Sequence, residues 1–432
     1  MSAPGAPTEE KTDPMKNPIK LVGLLGALAI IVSACGPAAT TAPSKAAATT
    51  PAGTTAPASE APTQTGMSGE LTLWHSYGSG GGETGALDQV LAAVRAQNPD
   101  LTINVVEQPF SDIFTKWQTD VLAGEATPDL YIAPNDNLFS QADAGALADI
   151  TAQLSGKLDG FSETAVNGSK VGDKFYMVPE SLKAVALWYD GTDLAKAPAT
   201  TDELLAGVKD KSIKLGLHQD PYFQFGWSGA FGGKLMDDTG KCVADQGGWA
   251  DAYKYAADLK AAGAKFYTDG NAMKQDFQTG KLNAIVDGPW LTADLTTAFG
   301  TLGHTLAVAP IPAGTGKANP MTGTDGWYIN PNGKSVDLAV QFALEMVSTR
   351  WEQIFTNFAG HVPAAPGVTI NDPIVQGFAD SAASGLPRPQ NKELNNYWTN
   401  FGNALNEVLD KGADPAAAIA TACTTMNQAN GK

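Results

Sequence analysis

Nine tryptophans are spread along this chain, and three of them, Trp290, Trp327 and Trp398, fall at expected strand ends or loops with Asp, Asn or Lys nearby. A flat aromatic ring covers the apolar face of a pyranose, while carboxylates and amides exchange hydrogen bonds with its hydroxyls. The chemistry such a mixture supports is reversible capture of a sugar. Trp117 and Trp249 belong instead to the apolar stripes of amphipathic segments and are expected in the core.

Bond-making chemistry has no comparable signature. Gly78-Ser79-Gly80-Gly81-Gly82 follows a strand and precedes a helix, but Glu83 stands where a dinucleotide fingerprint needs its third glycine. Asn332-Gly333-Lys334-Ser335 has the ending of a phosphate loop, yet Tyr328 occupies the place of its first glycine. His75, His218, His304 and His361 lie far apart, with no pair at helical ligand spacing. No GxSxG elbow occurs, and no reactive-cysteine signature surrounds Cys242 or Cys423. No catalytic residue, metal or cofactor is expected.

The elements that would hold the aromatic residues alternate in type. Glu70 to His75 reads as a strand, Thr84 to Gln97 as a helix and Leu101 to Val106 as a strand, a βαβ unit that implies a parallel sheet. A helix near Asp112 to Leu122, a strand from Asp129 to Ala133 and a helix from Leu138 continue the pattern, which predicts an α/β fold. Further strands are expected at 175–178, 184–189, 283–286 and 306–309, and helices after Thr200-Thr201-Asp202-Glu203, at 249–262 and through the last 40 residues. At Asp287-Gly288-Pro289-Trp290 a strand runs into a helix, where parallel sheets bind ligands. Asn135 and Asp136 hold the same position after another strand and stand ready to cap the next helix.

The N-terminal segment bears on location. Lys16 and Lys20, the apolar run from Leu21 to Val32 and Val32-Ser33-Ala34-Cys35 have the layout of a lipoprotein signal, with Met15 a candidate true start. Residues 1–34 are expected to be removed and Cys35 lipidated, with residues 35–68 an Ala/Pro/Thr-rich disordered tether to the outer face of the membrane. The chain carries 28 basic and 45 acidic residues, a net charge of −17, which excludes nucleic acid and anionic surfaces as partners. Beyond the tether some 364 residues remain, enough for two lobes. With Cys35 acylated, Cys242 and Cys423 are left either as a disulfide or as two separate thiols.

Stretches spread in order along the chain carry a resemblance: LTLWHSY (71–77), PDLYIAPND with AGALADI (128–150), KFYMVPESLKAVALWYD (174–190), HQDPYFQF (218–225), FQTGKLNAIVDGPW (277–290) and RPQNKELNNYWTNFGNAL (388–405). From Glu70 onward the protein resembles the sugar-binding solute-binding proteins of bacterial ATP-binding-cassette importers, the group that includes maltose-binding protein. The resemblance implies two α/β lobes joined by three crossover segments near 183–188, 304–309 and 347–351, with 69–185 and 307–348 in the first lobe and 186–306 and 349–432 in the second. It further implies a monomer that captures an oligosaccharide, a maltodextrin among them, and passes it to a membrane permease without breaking a bond. Another solute, such as a polyamine or peptide, and a secreted glycoside hydrolase are the competing readings.

By position, the resemblance assigns sugar stacking to Trp290, Trp398 and Tyr222, and polar contacts to Asp220 and Asp136. The chain departs from maltose-binding protein at Lys183, where that protein has a glutamate, at Ala133, Asn137 and Gly402, and near Gly78 and Ser79, which lack a charged pair. Asn135, Lys183, His75, Ser76, Tyr77 and Trp327 complete the expected contact set.

Overall fold

The computed structural model describes residues 66–78, 81–125 and 128–432. The leader, Cys35, the tether up to residue 65, and Ser79 lie outside the described residues, and with them the expected cleavage and lipidation.

Strands β1 (Gly69–His75), β2 (Leu101–Glu107) and β3 (Leu130–Pro134) pair in parallel, joined by helices Gly82–Gln97 and Phe110–Leu122. A small hairpin, β4 (Lys170–Val171) with β5 (Lys174–Phe175), leads to β6 (Met177–Lys183). The chain then passes through Ala184 and Val185 into β7 (Ala186–Asp190), followed by β8 (Leu215–His218), β9 (Lys265–Tyr267), β10 (Ala284–Asp287) and β11 (Leu306–Ala309). It returns with β12 (Met321–Ile329) and adds β13 (Val362–Pro363) and β14 (Leu386–Pro387). Seven strands form one sheet in the order β13-β6-β12-β3-β1-β2, with β14 beside β12, and five form the other in the order β11-β7-β10-β8-β9. This is the two-lobed α/β arrangement.

Side-chain alternation explains why each sheet is covered on both faces. Leu71, Leu73, Ile103, Leu130 and Ile132 enter a core layer with helices Gly82–Gln97, Val336–Met346 and Thr349–Ala359, while Trp74, Tyr131, Ala133, Met177 and Tyr328 enter a separate layer with Phe110–Leu122. In the second sheet Leu187, Leu215, Leu217, Ala284 and Val286 meet helices Pro221–Ala230, Trp249–Ala262, Tyr397–Lys411 and Pro415–Ala429. Ala186, Trp188 and Ile285 point the other way, toward Gly270–Gln278, Thr292–Leu302 and Pro373–Ser384.

The crossings differ from those expected after the first. Ala307–Ala309 pair with β7, so the return to the first sheet runs through 310–320 and not through 304–309. Helix Thr349–Ala359, expected in the second lobe, buries Trp351, Phe355 and Ala359 in the first lobe's core, and β13 pairs with β6. The reason is the four-residue spacing of those three side chains, which gives the helix an apolar stripe that only the first lobe covers. The final crossing follows β14 and begins at Arg388. The Thr200 hydroxyl caps its helix by accepting from Glu203 N at 3.1 Å, and the Glu203 carboxylate accepts from Ala199 N at 2.7 Å. Asn135 and Asp136 do not cap the helix Leu138–Asp143, whose N-cap residue is Asn137, with no side-chain cap bond.

Cys242 and Cys423 form a disulfide, with Cα atoms 5.4 Å apart and a sequence separation of 181. It ties the last helix to a loop of the same lobe, closing a long loop in the unfolded chain. The double variant C242S/C423S is expected to lose about 2–4 kcal/mol, read by urea unfolding; an unchanged midpoint would show that the bridge constrains nothing.

Candidate functional site

A cavity of about 660 Å³ lies between the two sheets. The first lobe supplies Ser76, Tyr77, Glu83, Asp136, Lys183 and Asp325; Asp220, Tyr222, Phe223, Trp290 and Trp398 come from the second, and Arg388 from the connection between them. The lobes touch at its rim. A Cβ on Gly82 would come within 2.4 Å of the Ala293 Cβ, so only glycine lets these two helix starts meet.

The aromatic wall is built by helix starts and a strand end. Asp220 caps the helix Pro221–Ala230, its carboxylate accepting from Tyr222 N at 2.8 Å, which fixes Tyr222 in the first turn. Trp290 follows Gly288 and Pro289 in a short 3₁₀ turn at the end of β10, the predicted strand-to-helix junction. Its indole folds back over Gly288, where a Cβ would stand 2.2 Å from the ring. Phe223 meets Trp290 edge-on at 6.3 Å, and Trp398 lies in the first turn of Tyr397–Lys411. Tyr222, Trp290 and Trp398 are all half-buried, leaving ring area free for a ligand.

The opposite wall is ionic. Lys183 Nζ lies 2.6 Å from Asp325 Oδ2 and 3.2 Å from Glu83 Oε1, and 5.9 Å from the Trp290 ring centroid. Behind it, His361 Nε2 is 3.0 Å from Glu83 Oε1, and its Nδ1 is 2.7 Å from Glu180 Oε1. Burial alone would push the Glu83 carboxyl up; Lys183 and His361 outweigh it and bring it down to about 2. Burial works against the charged Lys183 as well, and Asp325 and Glu83 overcome it, holding the ammonium well above its ordinary value. The Asp325 carboxyl stays above the usual carboxylate range because its desolvation exceeds what Lys183 restores. Burial lowers the Arg388 guanidinium to about 10.

Of the expected contact residues, Trp290, Trp398, Tyr222, Asp136, Asp220, Lys183, Ser76 and Tyr77 line the cavity. Three do not. Trp327 is fully buried in the first lobe's core, edge-on to Phe342 at 5.9 Å, because its register on β12 points it toward the helices Gly82–Gln97 and Val336–Met346. Asn135 is 1% exposed and spends its amide on the backbone, donating to Gly168 O at 2.9 Å and accepting from Thr324 N at 3.2 Å. His75 is buried at the end of β1 with its ring 5.6 Å from that of Tyr77, off the cavity wall. Glu83, Asp325, Phe223 and Arg388 were not anticipated. Glu83 was visible only as the residue that breaks a glycine fingerprint, and Arg388 opens one of the stretches that carry the family resemblance.

A family model for bacterial extracellular solute-binding proteins matches residues 89–379. The galactooligosaccharide-binding protein of Bacillus subtilis is 23% identical over 439 aligned positions, covering 93% of this chain and 94% of that one. The maltodextrin-binding protein MdxE of the same species is 26% identical over 326 positions, 69% of this chain and 76% of its own length. Among solved structures, the GacH receptor of Streptomyces glaucescens, determined unliganded and with acarbose, superposes with a TM-score of 0.77 at 22% identity, covering 84% of this chain and 98% of that one. The maltotriose-binding protein of Thermus thermophilus gives 0.74 at 24% identity, covering 83% and 100%.

Proposed function

The chain belongs to the bacterial extracellular solute-binding protein family, and from that premise we propose that it captures an oligosaccharide of the maltodextrin kind in the cleft and delivers it to an ATP-binding-cassette permease. The observation that carries the reading is the cavity's two-sided wall: Tyr222, Trp290 and Trp398 on one side, carboxylates and paired cations on the other. Aromatic faces take the apolar faces of successive sugar rings while Asp136, Asp220 and Glu83 accept from their hydroxyls. Relatives named for galactooligosaccharide, maltooligosaccharide and maltodextrin binding point the same way. The protein releases its ligand unchanged, and Cys35, acylated, holds it at the outer face of the membrane. Specificity then rests on binding and on closure of the lobes, which a ligand drives by favouring the closed state.

The test is a thermal-shift screen of the purified protein against mono- and oligosaccharides, polyamines and peptides, followed by calorimetry. A saccharide series that raises the melting temperature supports the reading, since a ligand of the folded state stabilises it by mass action; a shift with another solute alone overturns it. Trp290→Ala is expected to weaken saccharide binding by about 1–3 kcal/mol, in the range for burying a large apolar side chain, with the melting temperature of the free protein little changed. Equal affinity in the variant would remove Trp290 from the site.

A further inference from the structure

Arg388 reaches the cavity from the connection between the lobes, at the head of the stretch 388–405, with no ligand role assigned to it in the sequence. Its backbone N–H donates to Thr322 O at 2.9 Å, which anchors the stem beside β12. Its side chain is 4% exposed and its Nη1 is ion-paired with Asp136. Nε lies 3.3 Å from Met321 Sδ, and the guanidinium carbon stands 5.4 Å from the Tyr222 ring and 5.8 Å from the Trp398 ring. One group thus touches a first-lobe carboxylate and faces two second-lobe aromatic rings.

A guanidinium carries five N–H donors in one plane. Nε and Nη1 have protein partners; Nη2 has none among the described residues. Gly323, alongside it on the cavity wall, has no side chain to cover that edge. Asp136 in turn is half-buried, with a carboxylate able to accept more than the one ion pair. Together they present a donor and an acceptor side by side, within reach of the rings that would stack on a sugar.

We infer that Arg388 and Asp136 act as a joint donor–acceptor pair that reads two adjacent hydroxyls of one stacked sugar ring, which makes Arg388 a specificity-determining residue of the cleft. A vicinal diol offers the matching pattern, one hydroxyl accepting from Nη2 and its neighbour donating to the carboxylate. The class of ligand selected is a neutral glycan with an unsubstituted diol at that ring. A uronate there would bring a second anion beside Asp136, and a ring lacking one hydroxyl would leave a desolvated charge unpaired, a mismatch that binding sites punish more heavily than a lost methylene. The inference rests on the oligosaccharide reading and sharpens it.

The experiment is calorimetric titration of the full-length protein and its R388M and R388K variants with maltotriose and a panel of its monodeoxy analogues, alongside the melting temperature of each free protein. In the wild type at least one analogue is expected to bind about tenfold or more weakly than maltotriose. In R388M, maltotriose itself loses about tenfold, and the sensitive analogue now binds within about threefold of it, because the group that read the missing hydroxyl is gone. R388K keeps the charge without the fork and loses the same discrimination, which covers the case of an R388M chain that does not fold. Full maltotriose affinity in a folded variant, or an unchanged penalty for every analogue, overturns the inference and leaves Arg388 a structural partner of Asp136. A wild type that binds no saccharide removes the parent reading, and this one with it.

Discussion

Lys183→Met is expected to destabilise the protein by about 3–5 kcal/mol, the cost of leaving buried charges without their partner. Lys183 is the cation that both Asp325, at 2.6 Å, and Glu83, at 3.2 Å, depend on, and its side chain is only 12% exposed. With it gone, Asp325 and Glu83 must protonate or draw in water, and His361 is left bridging Glu83 and Glu180. The pH dependence gives the sign. Glu83 is held down at about 2, so the stability it contributes is fully present above the ordinary carboxylate value of 4.5 and is lost as pH falls through 2. Removing Lys183 lets Glu83 rise, so the difference between variant and wild type is greatest at neutral pH and shrinks below pH 4.5. Urea unfolding at several pH values measures this; a deficit under about 1 kcal/mol at pH 7, or one that grows in acid, is incompatible with the pairing. The double variant K183M/D325N, which removes an acceptor together with its cation, is expected to recover part of the loss.

The two-lobed α/β architecture was legible because strand and helix periodicities are local. β1, β2 and β3 and the helices between them fall where hydrophobic spacing places them, and the passage from one sheet to the other at Ala184–Val185 sits inside a segment expected to cross. The later crossings were not legible. Whether helix Thr349–Ala359 belongs to one lobe or the other depends on which core offers room for Trp351 and Phe355, a matter of tertiary packing that its own sequence cannot express. The same holds for Cys242 and Cys423, which stand 181 positions apart in sequence and are joined by one bond in space.

The site shows a sharper division. Trp290 was marked by the Gly-Pro junction ahead of it, and Tyr222, assigned only through the family resemblance, is held in its helix's first turn by the Asp220 cap; both line the cavity. Roles that depend on strand register were not legible. Trp327 and Asp325 are two positions apart on β12, yet a register shift between Asp325 and Gly326 breaks the simple alternation, and Asp325 reaches the cavity while Trp327 enters the core. Asn135 and Asp136 are neighbours on the chain; one is taken by backbone partners and the other by Arg388 from more than 250 residues away. A polar residue at a strand end announces only that a ligand could be met there, and tertiary partners decide whether its hydrogen bonds are already spent.

Trp117→Ala separates the two kinds of tryptophan most clearly. Trp117 is fully buried, its indole N–H donates to Ala146 O at 3.0 Å, and its ring lies 4.3 Å from that of Tyr131, which stacks in turn on Tyr328 at 4.5 Å. Truncation opens a large void between helix Phe110–Leu122 and the first sheet and leaves a buried carbonyl without its donor. Deleting a buried Trp or Phe side chain costs about 3–5 kcal/mol, and the void cannot close while Tyr131 and Tyr328 remain pinned through their hydroxyls to Gln141 and Pro134. Because Trp117 is not part of the cavity wall, the variant that still folds is expected to bind its ligand within about twofold of wild type, as distant, independent sites do. Trp290→Ala carries the opposite signature, weakened ligand binding and a melting temperature little changed. Calorimetry and denaturant unfolding on both variants settle the assignment: if Trp117→Ala abolished binding in a folded protein, the layer that holds it would have to be counted part of the site.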